Sequence, residues 1–340
     1  MERYFLGNNT AYGFKGFYEE ELKRIDPVIL LKGGPGTGKS SLMKKVANEA
    51  KSRGYDVELW YCSGDPSSLD GVYIKGLNAA VVDATAPHAS GANLPVIKDY
   101  IVDLATSLSH DKLSEHRAEI EALLKCKSRH FVRAYEHLRV ARCHLDNLLE
   151  LESVGLKESD IRAYASVMAS GIRENCPSVR KGGGMRRLFT QAISPAGESA
   201  YFDHLRGKRI FKVSGSEASS RVFMNELAGL LSGGTLILNA LEPAFIDGIV
   251  VDNTAVVLDA GHLGGDVYEN INLAVYENPE QTDAIDEEIN GMLIERAFAV
   301  EQLNKAREMH LAAETYFVSA MDFANNDKLY KNILKMLFGD

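Results

Sequence analysis

Residues 28–44 read VILLKGGPGTGKSSLMK. Within them, Gly33-Gly34-Pro35-Gly36-Thr37-Gly38-Lys39-Ser40 fits G-x-x-x-x-G-K-[ST] at every position. Glycines in such a loop let successive backbone N–H groups turn toward a phosphate chain. The lysine then reaches the outer phosphates, and the serine hydroxyl ligates Mg²⁺. The flanks agree with this reading. Val28 to Leu31 form an apolar run expected to be a buried strand. Leu42, Met43, Val46 and Ala47 recur at helical spacing after Ser41. A strand, a glycine loop and a helix N-terminus make an anion site. Gly33, Gly34, Pro35, Gly36, Thr37, Gly38, Lys39, Ser40 and Ser41 are thus the expected nucleotide-binding residues, with Lys39 also catalytic.

The rest of a phosphoryl site follows from the next strands. Residues 56–62 and 77–82 read as strands, and the second ends at Asp83. An aspartate there is expected to hold Mg²⁺ together with Ser40. Ala84 stands where many ATPases carry a catalytic glutamate. The base is therefore sought at Asp65 or His88, with Asp70 and Thr85 also near strand ends. Asp70-Gly71 reads equally as a structural turn. There is no N-K-x-D segment for guanine, so ATP is the expected nucleotide. Tyr12 and Phe14 are candidate platforms for adenine.

The chain is written twice. RYFLGNNTAYGFKGFY (3–18) resembles RLFTQAISPAGESAYF (187–202). VILLKGGPGTGKSS resembles RIFKVSGSEASSR, with Lys32 on Lys212. LWYCSGDPSSLDG (59–71) falls on LILNALEPAFIDG (236–248), and AAVVDATAPH (79–88) on AVVLDAGH (255–262). Four matches in one order imply two similar units, 1–176 and 185–340, with a boundary near Pro177 to Gly184. The second copy sets Val213, Ala218 and Ser219 against Gly33, Gly38 and Lys39, and Asp259 against Asp83. A loop without that lysine and those glycines is expected to bind nucleotide poorly.

Each unit carries a helical arm, about 96–172 and about 280–338. Leu113, Ile120, Leu124, Phe131, Ala134, Leu138, Ala141, Leu145 and Leu148 step by threes, fours and sevens, and Lys127 and Arg117 fall on the same seam. His130, His137 and His144 repeat every seven residues. Neighbours are then about 10 Å apart, too far to share one ion. The arms are expected to pack on their own domain or on each other; a docking surface for a protein partner is the other reading. Basic residues gather at the junction, and Arg180, Arg186 and Arg221 are candidates for a finger reaching the loop.

Composition limits the partners. The 340 residues are 45% hydrophobic and 25% charged, as in globular proteins, with net charge −9. That balance makes a nucleic-acid partner unexpected. No apolar run is long enough to span a membrane. Four cysteines without a C-x-x-C pair suggest reduced thiols and a cytoplasmic location.

The loop GGPGTGKSSLMKK, the segment DGVYIKGLNAAVVDATAPH and the repeat of both resemble a family of bacterial tandem P-loop ATP-binding proteins. The resemblance implies an α/β fold of two tandem P-loop NTPase-like three-layer domains, the second with a degenerate loop. It implies an ATP and Mg²⁺ site in the first repeat. The expected function is Mg²⁺-dependent ATP hydrolysis coupled to motion of the second domain or the arms. The alternatives are a small-molecule or nucleotide kinase, with Asp65 or Asp70 as base, and a non-enzymatic ATP-sensing switch.

Overall fold

The computed structural model describes residues 1–88, 91, 94–180, 184–258, 267–278 and 282–339. It is α/β, with a mixed six-stranded sheet in each half of the chain. The first half contains β1 (Glu2–Tyr4), β2 (Gly7–Thr10), β3 (Gly13–Gly16), α1 (Tyr18–Lys23), β4 (Val28–Lys32), α2 (Lys39–Ser52), β5 (Val57–Tyr61), β6 (Leu69–Ile74), β7 (Ala79–Asp83) and β8 (Asp99–Asp103). The sheet order is β1-β5-β6-β7-β4-β8. Only β6 runs against its neighbours. β4 is apolar throughout because both its faces are covered. Ile29 and Leu31 meet α2, while Val28 and Leu30 meet Ile25 and Trp60 on the other side.

After α3 (His110–Ser114), α4 (Arg117–Glu152), α5 (Glu158–Asn175) and α6 (Pro177–Arg180) comes the second half. It holds β9 (Arg186–Leu188), β10 (Gln191–Ser194), β11 (Gly197–Ala200), β12 (Arg209–Ser214), α7 (Glu217–Leu230), β13 (Thr235–Leu238), β14 (Ile246–Val251), β15 (Thr254–Leu258) and β16 (Val267–Asn272). From one edge the order is β9-β13-β14-β15-β12-β16, and again only the third strand is antiparallel. Hairpins β2–β3 and β10–β11 stand apart from the sheets. A bulge recurs too: the register shifts after Trp60 and after Ile237, leaving Asp70 and Asp247 as the extra residues. The Asp-Gly pairs read as turns are therefore bulged strand. Gly71 is required there, since a Cβ would stand 2.4 Å from the Trp60 ring.

The arms differ from the expectation in two ways. Helix begins at His110 and not near 96, because Asp99–Asp103 is β8, paired with β4. The arm ends also cross over. α4 and α8 (Thr282–Ala320) lie antiparallel, and His144, His137 and His130 meet Glu288, Glu295 and Gln302 at 2.7, 2.7 and 2.9 Å. The seven-residue spacing of the histidines thus matches the same spacing on the partner helix. Beyond this pair, α5 packs Ile161, Ala165 and Ala169 into the second half, against Val213, Phe223 and Ile271. Conversely α9 (Phe323–Phe338) sends Ile333 and Leu337 into the first half, against Ile29, Met43 and Val81. The units 1–176 and 185–340 thus exchange their last helices. α2 and α9 cover one face of the first sheet; the other face meets α1 and also Leu188, Ile237 and Val250 of the second half.

Between the halves, Phe5 and Phe189 exchange backbone hydrogen bonds of 2.9 and 3.0 Å. Nearby His204 is 3% exposed, with Nδ1 unpartnered, and burial pushes its pKa down from 6.5 to about 4. The unfolded chain takes that proton near pH 6.5, the folded chain only near 4. Stability is therefore full above pH 6.5 and falls as the pH drops through that window, by about 3 kcal/mol in all. His204→Leu is expected to flatten the melting temperature between those limits. An unchanged acid slope would contradict the assignment.

Candidate functional site

The loop between β4 and α2 begins from three left-handed glycines, Gly33, Gly36 and Gly38, with φ of 147, 67 and 87°. Gly38 ends the loop as the N-cap of α2 without a side-chain cap, so no side chain of the capping residue occupies the first N–H groups there. Lys39 opens the helix and folds back over the loop. Its Nζ donates to the carbonyls of Gly33 and Gly34 at 2.8 and 2.9 Å and lies 3.6 Å from Asp83 Oδ2. Thr37 Oγ1 donates to Gly34 O, and Thr85 Oγ1 donates to Gly33 O. Ser40 Oγ accepts from the Leu69 N–H at 3.0 Å, and Ser41 lies exposed on the first turn. Asp83 accepts from the Thr85 N–H. The structure thus gathers Lys39, Asp83 and the glycine loop.

The candidate bases fare differently. Asp65 accepts from the hydroxyls of Ser67 and Ser68 at 2.9 and 2.7 Å, and from Arg307 at 3.3 Å. Burial would raise its pKa, but these donors outweigh it and hold the carboxyl below its ordinary value. A carboxylate so satisfied is a weak base. Asp70 is 3% exposed and accepts from Tyr18 at 2.9 Å. His88 faces Asp70 at 3.5 Å, between the rings of Phe14 and Tyr18. Tyr12 keeps an exposed ring, 59% accessible, whereas Phe14 is part-buried. Tyr12 donates to Glu242 of the second half, and Phe14 packs over Gly7 and His88.

Groups missed in the sequence come from the arms. α8 lies along the loop: a Cβ on Gly34 would stand 3.0 Å from Phe317, and one on Gly36 2.8 Å from Val318. From α9, Asn326 donates to Thr37 O at 2.9 Å. Arg307 Nη2 lies 3.3 Å from Asp65, and Lys127 of α4 lies 3.1 Å from His310 of α8. Burial lowers the Lys127 pKa, aided by Lys39. Burial also pushes His310 to about 4, and Lys127, Lys39 and Arg307 add to it. Mutually repelling cations thus converge beside the loop. Lys127 carried a signal, a lysine on an apolar seam; Arg307 carried none. The arginines singled out earlier lie elsewhere. Arg186 pairs with Glu21 and Glu58, and Arg221 with Glu217 and Asp247. The side chain of Arg180 lies outside the described residues.

The second half has a different loop. Six residues separate β4 from α2, but only Gly215 and Ser216 separate β12 from α7. Ser219 Oγ reaches Ser216 O as Thr37 Oγ1 reaches Gly34 O, and Gly215 lies against Ser219 as Gly33 lies against Thr37, so Lys39 falls opposite Arg221, not Ser219. Ser216 caps α7 through the Ser219 N–H. Glu277 accepts from the Ser216 N–H at 2.7 Å and the Ser219 hydroxyl at 2.5 Å, and Glu152, from the end of α4, accepts from the Ala218 N–H at 2.9 Å. Burial, with Glu217 and Glu277 nearby, pushes Glu152 up to about 7. The chain's own carboxylates fill the helix N-terminus where an anion would sit. Asp259 and His262 lie outside the described residues.

No helix among the described residues is long and apolar enough to cross a membrane. Comparison with protein-family models, with curated proteins and with solved structures finds no match.

Proposed function

We propose that the chain binds and hydrolyses Mg²⁺·ATP at one site, in its first half, and that its halves are copies of one P-loop-type unit. The observation that carries this reading is the posture of Lys39. Its ammonium is held over the glycine loop by the carbonyls of Gly33 and Gly34 and beside Asp83. It would exchange those carbonyls for phosphate oxygens. Ser40 and Asp83 offer the hard oxygen donors that suit Mg²⁺. Bound there, the ion would neutralise charge on the transferred phosphoryl group. Arg307 and Lys127 would add cations from the arms, which links turnover to the coil of α4 and α8. Glu277 and Glu152, which cap the N-terminus of α7, explain why the second half would take no phosphate. Four free cysteines suit a reducing, cytoplasmic location.

A slow-turnover ATP switch is the second reading. It is favoured by α8 lying against Gly34 and Gly36, since a nucleotide must fit beneath an arm already in place. The kinase reading has less support, because Asp65 is engaged and Asp70 buried. Calorimetric titration with Mg²⁺·ATP tests the proposal. Lys39→Ala is expected to weaken binding at least about 100-fold, or roughly 2.7 kcal/mol. Unchanged affinity would overturn it.

A further inference from the structure

Cys62 follows β5, Asp70 is the bulge of β6, and His88 lies beyond β7. One ligand atom from each lies within 4.8 Å of the others. The His88 Nδ1 is buried without a hydrogen-bond partner, although Asp70 Oδ2 is 3.5 Å away. Asp70 itself has no lysine or arginine among the described ion pairs, and Asp83 adds a like charge nearby.

The second half shows what this carboxylate lacks. Asp247 occupies the same bulge and receives Arg221 at 2.9 Å and the Asn239 amide at 3.1 and 3.2 Å. Arg221 stands opposite Lys39, which turns instead to the carbonyls of Gly33 and Gly34 and to Asp83. Asn239 follows β13 as Cys62 follows β5. Around this carboxylate the first half therefore has a thiol where the second has an amide, and its cation faces Asp83 instead.

We infer that Cys62, Asp70 and His88 bind a divalent cation of the zinc class, beside the loop and separate from Ser40 and Asp83. A thiolate and a carboxylate balance a dication, and sulfur with imidazole selects zinc over magnesium. A nucleophilic triad needs the histidine in the middle. Here Asp70 is in the middle, since both Cys62 and His88 meet its carboxylate. Tyr18, donating to Asp70 at 2.9 Å, would orient it as a ligand. The ion would tie β5 and β6 to the loop that carries Thr85. Binding releases the thiol proton to solvent.

The test is titration of the full chain, freed of metal with a chelator, with Co²⁺ and then Zn²⁺ and without nucleotide. One Co²⁺ per chain is expected, with a thiolate-to-cobalt charge-transfer band that Zn²⁺ abolishes. Cys62→Ser should lose the band, while Cys126→Ser and Cys143→Ser keep it. His88→Gln should keep a sulfur band and weaken zinc at least about tenfold. No band in the full chain, or a band surviving Cys62→Ser, overturns the site. If Cys62→Ser does not fold, unchanged zinc affinity in His88→Gln overturns it. Lys39→Ala should leave the titration unaltered, so this site and the nucleotide site fail separately.

Discussion

Arg186→Met is expected to destabilise the protein by about 3–5 kcal/mol, one of the largest effects of any single substitution in the chain. Its guanidinium makes two hydrogen bonds to Glu58, at 2.9 and 2.5 Å, and lies 2.8 Å from Glu21. Those carboxylates are 2 and 3% exposed. Burial alone would raise the Glu58 pKa; Arg186 and then Lys75 outweigh it and hold it below the ordinary value. Methionine would leave two buried carboxylates, Glu58 with Lys75 at 3.3 Å and Glu21 with the exposed Arg24. Thermal melting should fall by roughly 5–10 °C. Arg187→Met is the control. Its pair with Glu20 is about half exposed on both sides and should contribute less than about 1 kcal/mol. Equal effects from the two would refute the buried-triad account.

A chain cut between 180 and 184 should behave as one protein and not as two. The fragment 1–180 lacks α9, whose Ile333 and Leu337 are 0 and 8% exposed against the first sheet. The fragment from 184 onward lacks α5, with Ile161, Ala165 and Ala169 all fully buried against the second. Each also lacks one strand of the α4–α8 coil. Uncovering those faces costs on the order of 5 kcal/mol or more, comparable to a whole domain's stability. Neither fragment should show cooperative unfolding alone. Mixed, they should regain it and with it the nucleotide site, because Arg307 and His310 arrive with the second fragment. Cooperative folding of either fragment by itself would contradict the exchange of helices.

Much of the first half was legible because its signals are local. The glycines, Lys39 and Ser40 lie in one short loop, and β4 and β7 are uniform apolar runs. β6 was missed because Asp70-Gly71 reads as a turn, whereas Gly71 is there to admit the Trp60 ring. β8 reads as helix because it is five residues, DYIVD, bounded by acids, and its identity depends on pairing with β4. The stripes of α5 and α9 were visible as apolar faces. Periodicity does not say which sheet a stripe covers, so the crossing, and with it Arg307 and Lys127 beside the loop, could not be read. The repeat showed that the second loop had lost its lysine. That Glu277 and Glu152 had replaced the phosphate follows only from contacts distant in sequence.

The most direct test of one nucleotide site in two similar halves is the stoichiometry of Mg²⁺·ATP binding by the intact chain. One nucleotide per chain is expected, and none in Lys39→Ala at nucleotide concentrations that just saturate the unaltered chain. Two per chain would mean that Glu277 and Glu152 at the N-terminus of α7 do not close the second site. No binding, or binding that survives Lys39→Ala, would contradict the account itself.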